Sequence, residues 1–259
     1  MKPLYTLLAV LIFSTAAIAQ SLSGVESVEY DPVNNRYLTS SDNTSIVSIA
    51  PNGALSQFGS GLVADYGMEI FGGKIYAIGN SEIRCYDIST ETLDWSQSIS
   101  GGGFLNGMAS NGVDSIWFTN FNNKDIIVMD VNNPQGYTTL VQNTGETPNG
   151  IVYDGANNRC LFVTWGSSGH VKAMDLTSNA VSYVVQNAGV GNIDGIDFDD
   201  DGNWFISSWS PSPRITKYIN DFSSSEIITV PGISNPADIC YSTETDTLAI
   251  PGGNQVLFV

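Results

Sequence analysis

The stretch Thr147-Pro148-Asn149-Gly150-Ile151-Val152-Tyr153-Asp154 recurs in altered form along the whole chain. Aligning on the aromatic or aliphatic residue four positions after Asn149 gives six copies. They are Glu26-Ser27-Val28-Glu29-Tyr30-Asp31, Tyr66-Gly67-Met68-Glu69-Ile70, Asn106-Gly107-Met108-Ala109-Ser110, Asn149-Gly150-Ile151-Val152-Tyr153-Asp154, Asp194-Gly195-Ile196-Asp197-Phe198-Asp199 and Ala237-Asp238-Ile239-Cys240-Tyr241. The first residues of these copies, which we call anchors, lie 40, 40, 43, 45 and 43 residues apart.

This period predicts the fold class. A repeat of about 40–45 residues built from short strands is typical of β-propellers, in which each repeat forms one four-stranded blade. Turn residues such as Pro51-Asn52-Gly53 separate the short strands, and no stretch has a sustained helical period. We therefore predict an all-β, six-bladed β-propeller over residues 20–259, with each anchor opening an innermost strand and the last blade lacking a full outer strand.

Composition limits the classes of partner. The chain has 259 residues, of which 42% are hydrophobic, which suffices for one large β domain. Its formal net charge is -17, with only nine Lys and Arg residues. A phosphate backbone and an anionic membrane both require a basic surface, so we expect neither nucleic acid nor a membrane as partner. The acidic field suits cation capture, and it equally suits simple solubility in a salty exterior.

The first 19 residues predict export. A Lys at position 2 precedes an apolar run from Leu7 to Ile12, and Ala17-Ile18-Ala19 fits a cleavage site. We predict a secretory signal peptide over residues 1–19 and a secreted or periplasmic product; the run is too short to anchor the chain in a membrane. The three cysteines, Cys85, Cys160 and Cys240, fall in different blades, and we expect buried free thiols.

The anchors also predict a metal site. Inner strands surround the propeller axis, so Glu26, Asn106, Asn149 and Asp194 should meet at one end of the channel although they are far apart in sequence. Two carboxylates and two amide carbonyls form an all-oxygen set that suits Ca²⁺ or another divalent cation. The alternative is that Asn-Gly and Asp-Gly are ordinary turn formers at strand starts.

Aromatic residues are expected to surround this site. Phe121, Trp165 and Trp209 fall in connections between second and third strands, which open at the end where the anchors lie. They predict a wall for an apolar or ring-shaped ligand, with packing between blades as the alternative. His170, the only histidine, is a further candidate substrate-binding residue, and the alternative is a solvated loop position.

The motifs resemble a known superfamily. Glu26 to Pro32, Leu105-Asn106-Gly107, Pro148-Asn149-Gly150 and Asp194-Gly195-Ile196-Asp197 are similar to those of the gluconolactonase/senescence-marker-protein superfamily of six-bladed propellers. The related paraoxonases and diisopropyl-fluorophosphatases share a Glu, Asn, Asn, Asp set around a central calcium. The resemblance implies a divalent-metal hydrolase of lactones or related esters, in which Asp194 is the metal-bound carboxylate that acts as base or nucleophile.

The chain departs from this superfamily in two respects. Gluconolactonases carry an Arg-x-Asn-Asp phrase in blade three, where this chain reads Phe104-Leu105-Asn106-Gly107. The catalytic His of the phosphotriesterase branches has no evident counterpart. Two hypotheses follow: a calcium-dependent hydrolase of a small, uncharged lactone or ester, and a non-catalytic propeller similar to NHL-repeat proteins that binds a peptide, glycan or protein partner.

Overall fold

Each repeat folds into one antiparallel sheet in which the strands follow one another in chain order. The computed structural model describes residues 20–219 and 221–259; the predicted signal peptide, residues 1–19, lies outside the described residues.

The strands of the first three blades are β1 (Val28–Asp31), β2 (Arg36–Ser41), β3 (Ser45–Ile49), β4 (Leu55–Phe58), β5 (Met68–Phe71), β6 (Lys74–Gly79), β7 (Glu82–Asp87), β8 (Thr92–Ser98), β9 (Leu105–Ser110), β10 (Ser115–Asn120), β11 (Asp125–Asp130) and β12 (Thr138–Val141). Those of the last three are β13 (Thr147–Asp154), β14 (Arg159–Trp165), β15 (Val171–Asp175), β16 (Val181–Val185), β17 (Gly191–Phe198), β18 (Trp204–Ser210), β19 (Arg214–Ile219), β20 (Ser224–Ile228), β21 (Cys240–Ser242), β22 (Thr247–Gly252) and β23 (Gln255–Phe258).

The six inner strands form a closed ring. Contacts run from β1 to β5, β9, β13, β17 and β21, and β21 contacts β1 again. Helix is confined, within the described residues, to two 3₁₀ turns at Pro134–Gly136 and Gly155–Asn157. The predicted six-bladed, all-β propeller is therefore confirmed. No helix in the described part of the chain is long and apolar enough to cross a membrane.

The apolar core is divided among the interfaces between blades. Five larger clusters fill the interfaces from blades one and two to blades five and six, because alternate residues of each strand face one neighbouring blade. Phe58, Phe118 and Phe162 are fully buried in three of these clusters. The cluster between blades six and one is the smallest, with Val28, Cys240 and Ala249 at its centre.

The ring closes between blades six and one through the entering chain. The Val25 N–H donates to the Gly253 carbonyl (3.0 Å), and the Asp238 N–H donates to the Glu26 carbonyl (2.9 Å). Tyr37 adds a ring contact to Phe258, with centroids 4.9 Å apart. Among the described residues the sixth sheet has three strands, so backbone bonds at the centre and aromatic contacts at the edge hold the closure together.

Because blade six ends at its third strand in the described chain, β23 forms an edge. The third strands of the other blades have buried residues, such as Ile46 and Val47 of β3, whereas Phe258 of β23 is 43% exposed. All three cysteines are free and buried, as the sequence predicts. The predicted turn glycine Gly53 has a φ of +79°, a conformation that glycine adopts without strain.

Candidate functional site

Five of the six anchors, all but Ala237, line one cavity at the end of the channel where the inner strands begin. Glu26, Asn106, Asn149 and Asp194 share a cavity of about 240 Å³ that opens to solvent. Glu26 lies two residues before β1, Asn106 is in β9, Asn149 is in β13 and Asp194 is in β17. The structure thus brings together the whole predicted metal-ligand set.

Three of these side chains lie at irregularities in strand pairing. The register between β9 and β10 shifts between Leu105 and Met108, around Asn106-Gly107. The register between β13 and β14 shifts between Pro148 and Ile151, around Asn149-Gly150. The register between β17 and β18 shifts between Ile193 and Ile196, around Asp194-Gly195. Such bulges leave residues outside the regular alternation and re-aim their side chains. The repeat therefore places Asn106, Asn149 and Asp194 at the same level of three inner strands, where all three line the cavity.

The glycine after the anchor allows the inner strands to approach closely. A Cβ on Gly107 would lie 2.5 Å from the carbonyl oxygen of Asn149, and a Cβ on Gly150 would lie 2.5 Å from that of Asp194. Real Cβ atoms do not come this close to a backbone oxygen, so any side chain there would push two blades apart. Glycine after the anchor therefore permits close packing of the inner strands at the axis.

Asn149 and Asp194 form the buried floor of the cavity. Asn149 is 1% exposed, and its Nδ2 donates to Asp194 Oδ1 (3.1 Å) and to the Ile193 carbonyl (3.3 Å). Its other amide atom, Oδ1, is buried without a hydrogen-bond partner among the described residues. A buried carbonyl oxygen without a donor is costly, so this atom favours a cation or a hydrogen-bond donor in the cavity.

The two carboxyl groups of the cavity are hard to ionise without a bound cation. Burial raises the pKa of Glu26 to about 7. Burial also raises the pKa of Asp194 well above its usual range, the charge of Glu26 raises it further, and the hydrogen bond from Asn149 lowers it in part. A cation between these groups would remove both the desolvation penalty and the repulsion.

The donor set fits a hard cation through oxygens alone. The described residues hold no group of three or more His, Cys, Asp and Glu side chains arranged for a metal, so this site depends on two carboxylates and two amides. Oxygen donors of this kind suit Ca²⁺, and the unpartnered Asn149 Oδ1 supplies an acceptor already positioned for it. The residues therefore fit calcium.

Aromatic rings surround the mouth of the cavity. The three predicted rings, Phe121, Trp165 and Trp209, line it together with Tyr66 and Phe104, which the sequence analysis did not identify. Tyr66 is itself the anchor of blade two and Phe104 lies two residues before the anchor Asn106, so their positions in the repeat were the available signal. We call these five rings the aromatic collar.

His170 lies elsewhere. It is not among the residues that line this cavity. Its Nδ1 accepts a hydrogen bond from the Asn187 N–H (2.9 Å), and its ring packs edge-on against Tyr183. Between Trp165 and His170 the chain turns at Gly166, and the Gly169 N–H then bonds the Val190 carbonyl, which directs His170 toward the outer strand of blade four.

A second acidic cavity lies farther along the inner strands. It has a volume of about 230 Å³, and its lining includes four carboxyl groups, those of Glu29, Glu69, Asp197 and Asp238. Three of these lie three residues after the anchors Glu26, Tyr66 and Asp194, at a distance of about 10 Å along an extended strand. We call this the lower cavity.

Comparisons with known proteins agree with this fold. No family model matches the chain, and no curated protein matches its sequence. Among solved structures, a calcium-binding protein, regucalcin, from Agrobacterium tumefaciens is 13% identical with a TM-score of 0.74, and the match covers 93% of this chain and 91% of that one.

A gluconolactonase from Xanthomonas campestris is 14% identical with a TM-score of 0.74, and the match covers 92% of this chain and 86% of that one. A chain of a nidogen/laminin complex is 15% identical with a TM-score of 0.67, over 84% and 85% of the two chains. At these identities the likeness is one of fold. The chain is thus a six-bladed β-propeller whose structural neighbours include regucalcin and a gluconolactonase, as the resemblance in its motifs predicts.

Proposed function

We propose that the chain is a calcium-dependent hydrolase of uncharged lactones or related esters. The observation that carries the proposal is the meeting of Glu26, Asn106, Asn149 and Asp194 in one open cavity, with a buried, unpartnered Asn149 Oδ1 among them. The fold shared with a gluconolactonase and a regucalcin supports the proposal. The apolar start of the sequence supports a secreted or periplasmic location.

The residues of the cavity divide into three roles. Glu26, Asn106, Asn149 and Asp194 would hold the ion through their oxygens. Bound calcium would polarise the substrate carbonyl and stabilise negative charge on its oxygen. Asp194, the most buried carboxyl group of the cavity at 6% exposed, would take a proton from the attacking water or attack the carbonyl itself.

Other groups prepare Asp194 and the substrate. The Asn149 Nδ2 donates to one carboxylate oxygen of Asp194 and so fixes its orientation, leaving the second oxygen for chemistry. The aromatic collar would hold the apolar part of the substrate and limit access of water. No Lys, Arg or His is among the described residues that line the cavity, so the site favours neutral substrates over anionic ones.

The direct test combines binding with turnover. We expect calcium to raise the melting temperature relative to chelator, because a ligand that binds only the folded state stabilises it by about 2.7 kcal/mol at one hundred times its Kd. We expect Asp194→Asn to lower the hydrolysis of responsive aryl esters and lactones by about 10²-fold or more. Glu69→Gln, the same change in the lower cavity, is the matched control and should retain turnover.

Turnover that survives Asp194→Asn on every responsive substrate would contradict this mechanism.

A second candidate function is a binding module, which the absence of Arg and His from the described cavity lining favours. A calcium-dependent melting temperature without turnover on any ester or lactone would support that candidate, with a peptide, glycan or protein as partner.

A further inference from the structure

The aromatic collar forms a continuous arc. Ring centroids lie 4.7 Å apart for Tyr66 and Phe104, 4.9 Å for Phe104 and Phe121, 6.2 Å for Phe121 and Trp165, and 4.9 Å for Trp165 and Trp209. All five rings are partly exposed and line the cavity mouth. The Trp209 indole N–H donates to the Pro236 carbonyl (2.9 Å), which fixes one end of the arc.

The floor beneath this arc is acidic. It contains the carboxyl groups of Glu26 and Asp194, and no Lys or Arg is among the described residues that line the cavity. None of the nine salt bridges found between described residues includes either carboxyl group. An acidic floor within a ring of aromatic side chains is the environment in which proteins hold organic cations, because ring faces and carboxylates both attract positive charge.

The unpartnered amide oxygen narrows the class of cation. Asn149 lines the cavity, and its Oδ1 is buried with no donor among the described residues. A quaternary ammonium group has no N–H to offer it, whereas a protonated primary amine has three donors. A primary amine would therefore satisfy the amide oxygen and both carboxylates, which a fully methylated amine could not do.

We propose that this cavity binds a protonated primary amine that carries an aromatic or apolar substituent. The ammonium group lies on the floor and donates to Asn149 Oδ1, Glu26 and Asp194, and the substituent lies within the aromatic collar. The proposal does not depend on hydrolysis. It concerns the same floor as the proposed calcium site, so the amine and calcium compete.

Isothermal titration calorimetry with three matched probes tests this assignment. Benzylammonium is compared with benzyltrimethylammonium and with benzyl alcohol at pH 7 and about 0.15 M salt, which screens non-specific attraction to the acidic chain. Chelator is present in every titration to remove divalent cations. We expect benzylammonium to bind at least about tenfold more tightly than either analogue, since each analogue loses charge-assisted hydrogen bonds.

Two variants and a matched control locate the binding. Asp194→Asn should weaken benzylammonium binding by about tenfold or more through loss of a floor carboxylate. Trp165→Ala should weaken benzylammonium and benzyl alcohol alike through loss of a collar ring. Glu69→Gln makes the same charge change in the lower cavity and should leave both affinities unchanged. Thermal unfolding establishes that each variant is folded, and Glu26→Gln replaces Asp194→Asn if that variant is not.

The possible outcomes separate the two proposals. Equal affinity for amine and alcohol, or an equal loss in Asp194→Asn and Glu69→Gln, would overturn the amine site, as would the absence of benzylammonium binding. Benzylammonium binding by a chain whose melting temperature does not respond to calcium would support the amine site and reject the metal. If calcium raises the melting temperature and benzylammonium does not bind, the result would support the metal site and reject the amine site.

Discussion

Asn149 shows how one side chain links fold and site. It lies in the bulge of β13, where the pairing with β14 shifts by one residue. Its Nδ2 donates a hydrogen bond to Asp194 Oδ1 in the next blade. Its own carbonyl oxygen packs against Gly107 of the preceding blade. The residue therefore contacts both neighbouring inner strands, lines the cavity, and keeps an Oδ1 that has no partner among the described residues. A polar residue followed by glycine satisfies all these demands, which explains why the pair recurs.

A single methyl group at Gly150 should disrupt this arrangement. In Gly150→Ala the new Cβ would meet the Asp194 carbonyl oxygen at 2.5 Å and the Gly195 Cα at 2.8 Å, and these backbone atoms have little freedom to move. We expect a loss of about 1–3 kcal/mol in the free energy of unfolding. Urea denaturation measures it.

Gly79→Ala is the matched control for this change. Its Cβ would meet only the guanidinium end of Arg84 (Nε at 2.7 Å), which can rotate away. The control should therefore lose much less stability than Gly150→Ala. If Gly150→Ala loses no more free energy of unfolding than Gly79→Ala, the inner strands tolerate a side chain at this position. That result would contradict the close packing at the axis.

At the scale of the strand, hydroxyl groups of second strands connect neighbouring blades. The Thr119 hydroxyl of β10 accepts from the Gly107 N–H (2.9 Å) and donates to the Asn149 carbonyl (2.8 Å). The Ser207 hydroxyl of β18 makes the same pair of bonds, with the Gly195 N–H and the Ala237 carbonyl, both at 2.7 Å. Each hydroxyl thus satisfies a backbone N–H in the inner strand of its own blade and a backbone carbonyl of the next blade.

Thr119→Val tests the importance of this bridge. The substitution keeps the shape of the side chain but leaves the Gly107 N–H and the Asn149 carbonyl without partners. We expect the free energy of unfolding to fall by about 2–4 kcal/mol. Thr119→Ser keeps the hydroxyl and should lose much less. Chemical denaturation of the three proteins measures both losses, and a loss in Thr119→Val no larger than that in Thr119→Ser would contradict the importance of the hydroxyl bonds.

These bridges also show where prediction from sequence stops. Alignment of the anchors places Asn149 and Asp194 correctly, because the repeat imposes the same geometry on both. The hydroxyl of Thr119 has no such signal, since its partner Asn149 lies 30 residues away in another blade. Tyr66 and Phe104 differ from Thr119 in this respect, because their positions at and just before an anchor already indicate a place at the cavity mouth.

His170 illustrates the opposite difficulty. As the only histidine it is a candidate substrate-binding residue, yet the structure places it outside the lining of the cavity, and four residues separate it from Trp165. The Gly169 N–H donates to the Val190 carbonyl, and the Asn187 N–H donates to His170 Nδ1, and these bonds determine the position of the loop. Sequence distance within a repeat is informative for strands, whose rise per residue is fixed, and much less so for the turns that join them.

For the molecule as a whole, the lower cavity should make stability depend on pH. Burial, aided by the charge of Asp197, raises the pKa of Glu69 to about 8, although the Ser110 hydroxyl donates to it (2.8 Å) and lowers the pKa in part. Burial raises the pKa of Asp197 to about 7 against the backbone hydrogen bonds from Tyr241 and Phe198. Both folded-state values lie above the usual values of 4.5 for Glu and 3.8 for Asp.

The sign of the effect follows from proton binding. Between about pH 4 and pH 8 the folded chain binds more protons at these groups than the unfolded chain, so their contribution to stability is complete below about pH 4 and is lost as the pH rises through 7–8. We expect urea denaturation in the presence of chelator to give a free energy of unfolding lower at pH 8.5 than at pH 5 by a few kcal/mol.

Substitution at Glu69 should then identify the groups responsible. Glu69→Gln removes a carboxyl group that resists ionisation and keeps a side chain able to bond Ser110, so it should be more stable than the unmodified chain at pH 8.5 and less dependent on pH. Glu244→Gln, at an exposed turn between β21 and β22, removes the same charge from the whole molecule and is the control. If both variants reduce the pH dependence equally, the net charge of -17 governs it. A reduction confined to Glu69→Gln would place its origin in the channel, where the propeller brings carboxyl groups from separate blades together.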